Sequence, residues 1–117
     1  MIIPAQNIRV VVAMKPIDFR RGHDGLAATA QNELGLDPHS GVIVVFRSRK
    51  LDRLKVLLWD GTGLVMAYKR LEQNTFAWPP VREGMMKISA GQFEALFAGL
   101  DWRKLYAPKV LPPAAAE

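Results

Sequence analysis

Apolar residues recur along the chain in two different periods, and each change of period marks an element. Ile8-Arg9-Val10-Val11-Val12-Ala13-Met14 is dominated by β-branched side chains and stops short of Pro16, which removes a ladder donor, so residues 8–14 read as a strand. Gly22-His23-Asp24-Gly25 then introduces Leu26, Ala27, Ala30, Glu33 and Leu34 at helical spacing, and Gly35 closes that helix as a C′ residue. Asp37-Pro38-His39-Ser40-Gly41 is turn chemistry, and residues 42–46 form a second short apolar strand. The clearest signal is the pair of runs Arg53–Trp59 and Leu64–Arg70 on either side of Asp60-Gly61-Thr62-Gly63, an antiparallel hairpin whose glycines permit positive φ.

Alternation along the first hairpin arm puts Leu54, Val56 and Leu58 on a core face and leaves Arg53 and Lys55 beside Leu57 and Trp59 on the other. Thr75-Phe76-Ala77-Trp78 and Met86-Lys87-Ile88 are candidate edge strands around Pro79-Pro80. Ser89-Ala90-Gly91-Gln92 has the form of a capping box, and Phe93, Leu96, Phe97 and Leu100 follow it as one helical stripe for the core. These elements predict an α+β fold: a mainly antiparallel sheet with a central basic β-hairpin and two helices packed on one face. No repeat or linker divides the chain, so residues 1–107 are expected to form one globular domain and residues 108–117 a loose Pro/Ala-rich tail.

Composition narrows the setting. A chain of 117 residues can bury one continuous core without staples, and with no cysteine it has neither disulfides nor thiolate metal ligands, which suits a reducing compartment. The N-terminus lacks a signal-like pattern and no run approaches membrane-spanning length, so a cytoplasmic location and no membrane partner are expected. The formal charge of +5 favours anionic partners, and its placement says more than its size. Between Arg47 and Arg70, Arg47, Arg49, Lys50, Arg53, Lys55, Lys69 and Arg70 face only Asp52 and Asp60, while the remainder is balanced.

Catalytic and cofactor chemistry is hard to find. The histidines, His23 and His39, both sit beside turn signals, and no gathering of His and carboxylates announces a metal site. The glycines of Asp60-Gly61-Thr62-Gly63 are those a hairpin needs, and no Lys-Ser or Lys-Thr follows a glycine as in nucleotide-binding loops. Asp18, Asp24, Asp52 and Asp60 are separated by turns and basic residues, unlike the ligand set of a two-metal nuclease. Ser40, Ser48 and Ser89 have turn or capping roles. A protein that is not an enzyme, with no cofactor and no metal, is the expectation.

What remains is the basic, aromatic hairpin face, joined by the Arg20-Arg21 pair. Two readings of it stay open. The cationic stems could shield Leu57, Trp59 and Tyr68 as an ordinary solvated face, or Arg20, Arg21, Arg47, Arg49, Lys50, Arg53, Lys55, Lys69 and Arg70 could hold nucleic-acid phosphates, with Trp59 and Tyr68 for stacking or partner contact. Alternation predicts that Arg53 and Lys55 point to solvent, so replacing both should spare folding.

Pro16-Ile17-Asp18-Phe19-Arg20-Arg21-Gly22-His23-Asp24-Gly25-Leu26 closely resembles one family. It is similar to the small TnpB accessory protein, the second open reading frame, of bacterial transposable elements of the insertion sequence 66 family, which is unrelated to the RNA-guided nucleases of the same name. The likeness continues through Ser40-Gly41, Phe46-Arg47, Asp52-Arg53-Leu54-Lys55, Trp59-Asp60-Gly61-Thr62-Gly63, Tyr68-Lys69-Arg70-Leu71-Glu72, Phe76-Ala77-Trp78-Pro79 and Leu100-Asp101-Trp102, over about residues 4 to 105. His23 departs from the aromatic residue expected there, and Ala98 from a more polar one. The resemblance implies a non-catalytic protein encoded beside a larger transposase that carries the acidic catalytic residues. Element-end DNA and that transposase are the expected partners, and the resemblance assigns no catalytic residue. A protein-interaction adaptor without DNA contact, or an RNA-binding module, would use the same surface.

Overall fold

Both β1 (Val10–Ala13) and β2 (Ile43–Arg47) are buried along their whole length, and that double burial sets the architecture. The computed structural model describes residues 8–104. Between β1 and β2 runs α1 (His23–Asn32), and β3 (Arg53–Trp59), β4 (Leu64–Arg70), β5 (Met85–Ile88), α2 (Ala90–Phe97) and a 3₁₀ turn (Trp102–Lys104) follow. The five strands form one sheet in the order β4-β3-β2-β1-β5. Only β1 and β2 pair in parallel, as the α1 crossover requires, and the other three pairings are antiparallel. The fold is α+β, as the periodicity predicts.

The helices occupy opposite faces, which corrects the expectation of one helical layer. Val11, Ala13, Val44, Phe46 and Leu57 pack with Leu26 and Ala30 of α1. Val10, Val12, Ile43, Val45, Leu54, Val56 and Leu58 pack with Phe93, Ala95 and Leu96 of α2. The reason lies in the strands themselves. In β1 and β2 apolar residues occupy both parities, so covering one face would leave the other in water. The hairpin also moves from the centre to an end of the sheet, with β4 as an edge.

Several boundaries shift for local reasons. Residues 53–59 and 64–70 are strands as the alternation predicts, and Leu54, Val56 and Leu58 face the core. In the turn the Asp60 carboxylate accepts from the backbone N–H groups of Thr62 and Gly63, each at 2.9 Å, and Gly61 takes φ +104°. Those hydrogen bonds, the Thr62 backbone's first, lower the Asp60 pKa. The capping box forms as the sequence predicts, with Ser89 and Gln92 each bonding the other's backbone. Leu100 lies past the end of α2 and is 61% exposed, so the expected apolar stripe stops at Phe97. Residues 75–78 do not form a strand, although Phe76 and Trp78 are buried, whereas Met85–Ile88 pairs with β1. Residues 105–117, which include the expected tail, lie outside the described residues.

Phe46 is fully buried at the α1 face of β2, so Phe46→Ala should cost about 3–5 kcal/mol, read from the urea midpoint at unchanged slope. A loss below about 1 kcal/mol would contradict the two-sided core.

Candidate nucleic-acid interface

Strand register divides the predicted cations between two faces. Residues directly opposite in an antiparallel pair share a face, and Arg53 lies opposite Arg70, Lys55 opposite Tyr68, and Leu57 opposite Met66. Leu57 packs toward α1, so Arg53, Lys55, Tyr68 and Arg70 belong to the α1 side. Arg47 and Lys69 both pair with Leu54 and so belong to the α2 side. The expected single basic face is therefore two surfaces.

Lys55 is not a surface cation. It is only 4% exposed, and its ammonium donates to the backbone carbonyls of Phe19 at 2.7 Å and Arg21 at 2.8 Å. Its Nζ lies 5.2 Å from the centre of the Phe19 ring and 5.0 Å from that of Tyr68, and the two rings meet edge to face. A buried ammonium must find acceptors, and here they come from the loop leading into α1. Lys55 thus holds the Pro16-to-Gly22 segment onto the hairpin. This corrects the expectation that Lys55 points to solvent.

The loop so held displays arginines. The Asp18 carboxylate accepts from the Arg20 backbone N–H at 2.9 Å and from the Arg20 guanidinium, with Nη2 at 2.7 Å. These bonds, the side-chain one first, lower the Asp18 pKa from 3.8 to about 2. Arg21 crosses α1 instead. Its Nη1 donates to Thr29 Oγ1 at 2.6 Å and lies 3.6 Å from Glu33. A Cβ on Gly25 would stand 3.0 Å from the Arg21 Cβ, so glycine is what lets that side chain pass. Gly22 is the N-cap of α1, and Asp24, which could have capped the helix, lies in its first turn.

Beside this loop lies a cleft of about 380 Å³ lined by Pro16, Asp18, Phe19, Arg49, Lys50 and Arg53, among others. Arg49 and Lys50 are exposed in the β2–β3 connection and form no ion pair among the described residues. Arg53 is half-buried, donates to the Tyr68 hydroxyl at 3.2 Å and lies 3.9 Å from Asp52, too long for a hydrogen bond. Tyr68 is 49% exposed, and Arg70 beyond it reaches Glu72 at 3.5 Å. The structure thus brings Arg20, Arg49, Lys50, Arg53, Tyr68 and Arg70 onto one side. Trp59 lies apart at the hairpin turn, its ring edge-on to His39. Lys69 donates to the Phe97 carbonyl at 2.6 Å, and Arg47 is 4% exposed, which removes both from this surface. Phe19 and Thr29, which fix the orientation of the cations, have no sequence signal beyond their nearness to the Arg20-Arg21 pair. Among the described residues no group of three or more His, Asp or Glu could hold a metal ion, and no helix is long and apolar enough to cross a membrane.

Residues 8–107 match the family model described as IS66 Orf2 like protein. The chain is 42% identical over 113 residues to the uncharacterized protein y4jC of Sinorhizobium fredii (strain NBRC 101917 / NGR234), covering 97% of each chain. It is 40% identical over 103 residues to the uncharacterized protein y4hO of the same organism, covering 88% of this chain and 90% of that one. No solved structure matches the chain.

Removing the Lys55 ammonium would take the donor from two part-buried carbonyls and leave their pocket unfilled, so Lys55→Met should lower stability by about 1–3 kcal/mol in urea denaturation. A change within about 0.5 kcal/mol would mean that Lys55 is solvated. The Asp18 carboxylate has a depressed folded-state pKa, so its contribution is present above its ordinary pKa of 3.8 and disappears as pH falls through about 2. Asp18→Asn should flatten the fall in stability between those values. Identical acid profiles for the two proteins would contradict the Asp18–Arg20 fork.

Proposed function

Because the chain belongs to the IS66 Orf2-like family, we propose that it is a non-catalytic accessory protein of transposition that binds element DNA on the α1 side of its hairpin. The observation that carries this reading is the cleft of Arg49, Lys50 and Arg53 beside exposed Tyr68 and the Arg20 loop. Arg49 and Lys50 keep their charge free of carboxylates among the described residues, so a phosphate meets them without displacing an internal partner. Arg20, Arg53 and Arg70 border them, each already held in place by a neighbouring side chain, which limits the ordering cost of a contact. Tyr68 offers a ring face for an unpaired base. Arg21 steadies α1, while Arg47, Lys55 and Lys69 serve the fold rather than the DNA. Chemistry on the DNA falls to a separate transposase, and the bacterial cytoplasm, where both would meet the element, is the proposed setting.

The test is binding to element-end and unrelated duplexes at two salt concentrations, for the native chain and for Arg49→Gln/Lys50→Gln. Each lost phosphate contact should lower the slope of log affinity against log salt by roughly one, and equally for both sequences. With magnesium or manganese present, the DNA should be recovered uncut. An unchanged slope in the double variant would remove this surface from the DNA-binding model and favour an adaptor that contacts only the transposase. Cutting abolished by Asp52→Asn or Asp60→Asn would overturn the non-catalytic reading.

A further inference from the structure

On the opposite side of the sheet a second cleft, of about 400 Å³, is built around a buried arginine. Strand alternation places Arg47 with Val45 and Ile43 on the α2 face, at the end of β2 where the core gives way to the segment carrying Phe76, Trp78 and Pro79. Arg47 is 4% exposed, and its guanidinium stacks 5.1 Å from the centre of the Trp78 ring and donates from Nη1 to the Pro79 carbonyl at 2.7 Å. Its Nε is buried with no hydrogen-bond partner, and no described carboxylate forms an ion pair with it. Burial pulls its pKa below the ordinary value.

A buried cation without an ion pair among the described residues is costly, and a buried donor left unbonded there is open to a partner. Two further features describe what would satisfy it. Leu51 and Leu100, 43% and 61% exposed, stand beside the buried Trp78 and Phe76 in the lining, so apolar side chains flank the cation within an otherwise polar cleft. Arg103, also in the lining, is held by Asp101 at 2.9 Å, so those two charges offset each other and Arg47 supplies the positive character. One deep cation flanked by exposed leucines suits a single planar anion attached to an apolar body. It does not suit a polyanion, whose affinity comes from a row of accessible cations.

We propose that this cleft docks an acidic segment of a partner protein, seating a carboxylate on the Arg47 guanidinium and an adjacent apolar side chain between Trp78, Leu51 and Leu100. The site lies across the sheet from the Arg49-Lys50 cleft. The residue 48–51 connection sends Arg49 and Lys50 to one side and Leu51 to the other. A chain with both surfaces can hold nucleic acid and protein at once, and neither site depends on the other.

The full chain, labelled with ¹⁵N, is titrated with N-acetylated, C-amidated Leu-Glu-Leu while the Trp78 indole N–H and the Arg47 Nε–H are followed. Leu-Gln-Leu, inorganic phosphate and a short DNA duplex are the parallel arms. Saturable shifts of both resonances with the glutamate peptide, and binding about tenfold weaker with the glutamine peptide, are expected for a charge-assisted contact. Arg47→Lys should lose that discrimination. Because Arg47 is buried, Leu51→Glu and Leu100→Glu provide variants at exposed positions that should fold normally and lose peptide binding. The proposal is overturned if the glutamate peptide gives no saturable shift, if glutamine binds equally, if the two leucine variants bind as the native chain does, or if phosphate or duplex moves these resonances as much as the peptide.

Discussion

Neither face of β1 or β2 can tolerate water, and the rest of the molecule is arranged to keep it away. Each strand carries apolar residues at every position, apart from Arg47 at the end of β2, so a single covering layer would leave half of these side chains exposed. The α1 crossover covers one side and forces the two strands parallel. The other side waits until the end of the chain, when α2 and the buried Trp102 close over it. Late elements therefore complete a core that early elements begin, which makes the contacts long in sequence and local in space.

This arrangement also decides the fate of charged residues at strand positions. Alternation says only that Lys55 lies on the side away from Leu54 and Val56. Because α1 and its leading loop cover that side, the ammonium meets carbonyls and aromatic rings in place of water. A residue whose sequence context reads as a phosphate contact becomes a brace that holds Arg20 and Arg21 in position. Arg47 undergoes the same inversion on the other face, but without a second acceptor for its Nε. The difference between the two is the difference between a finished structural contact and an open one.

The resulting surface is divided. Of the cations in the basic segment, Arg49, Lys50 and Arg70 are exposed, while the cleft near Leu51 and Leu100 opens on the α2 side. The chain carries this division within a family with a transposition-related accessory role.

The sequence by itself determined the hairpin from 53 to 70, the capping box at Ser89 and Gln92, the α+β class and the family, because these rest on local periods, turn chemistry and ordered motifs that need no distant contact. The unbroken apolar runs of β1 and β2 also carried the sign of two-sided burial, although alternation in β3 pointed to one covered face. Only the tertiary structure decided which helix covers which side, that the hairpin ends the sheet, and which cations reach solvent. Lys55, Arg47 and Arg49 are alike as letters in one basic segment. They differ because the first meets the carbonyls of Phe19 and Arg21, the second slides beneath Trp78, and the third is exposed in the β2–β3 connection, uncovered by any described residue.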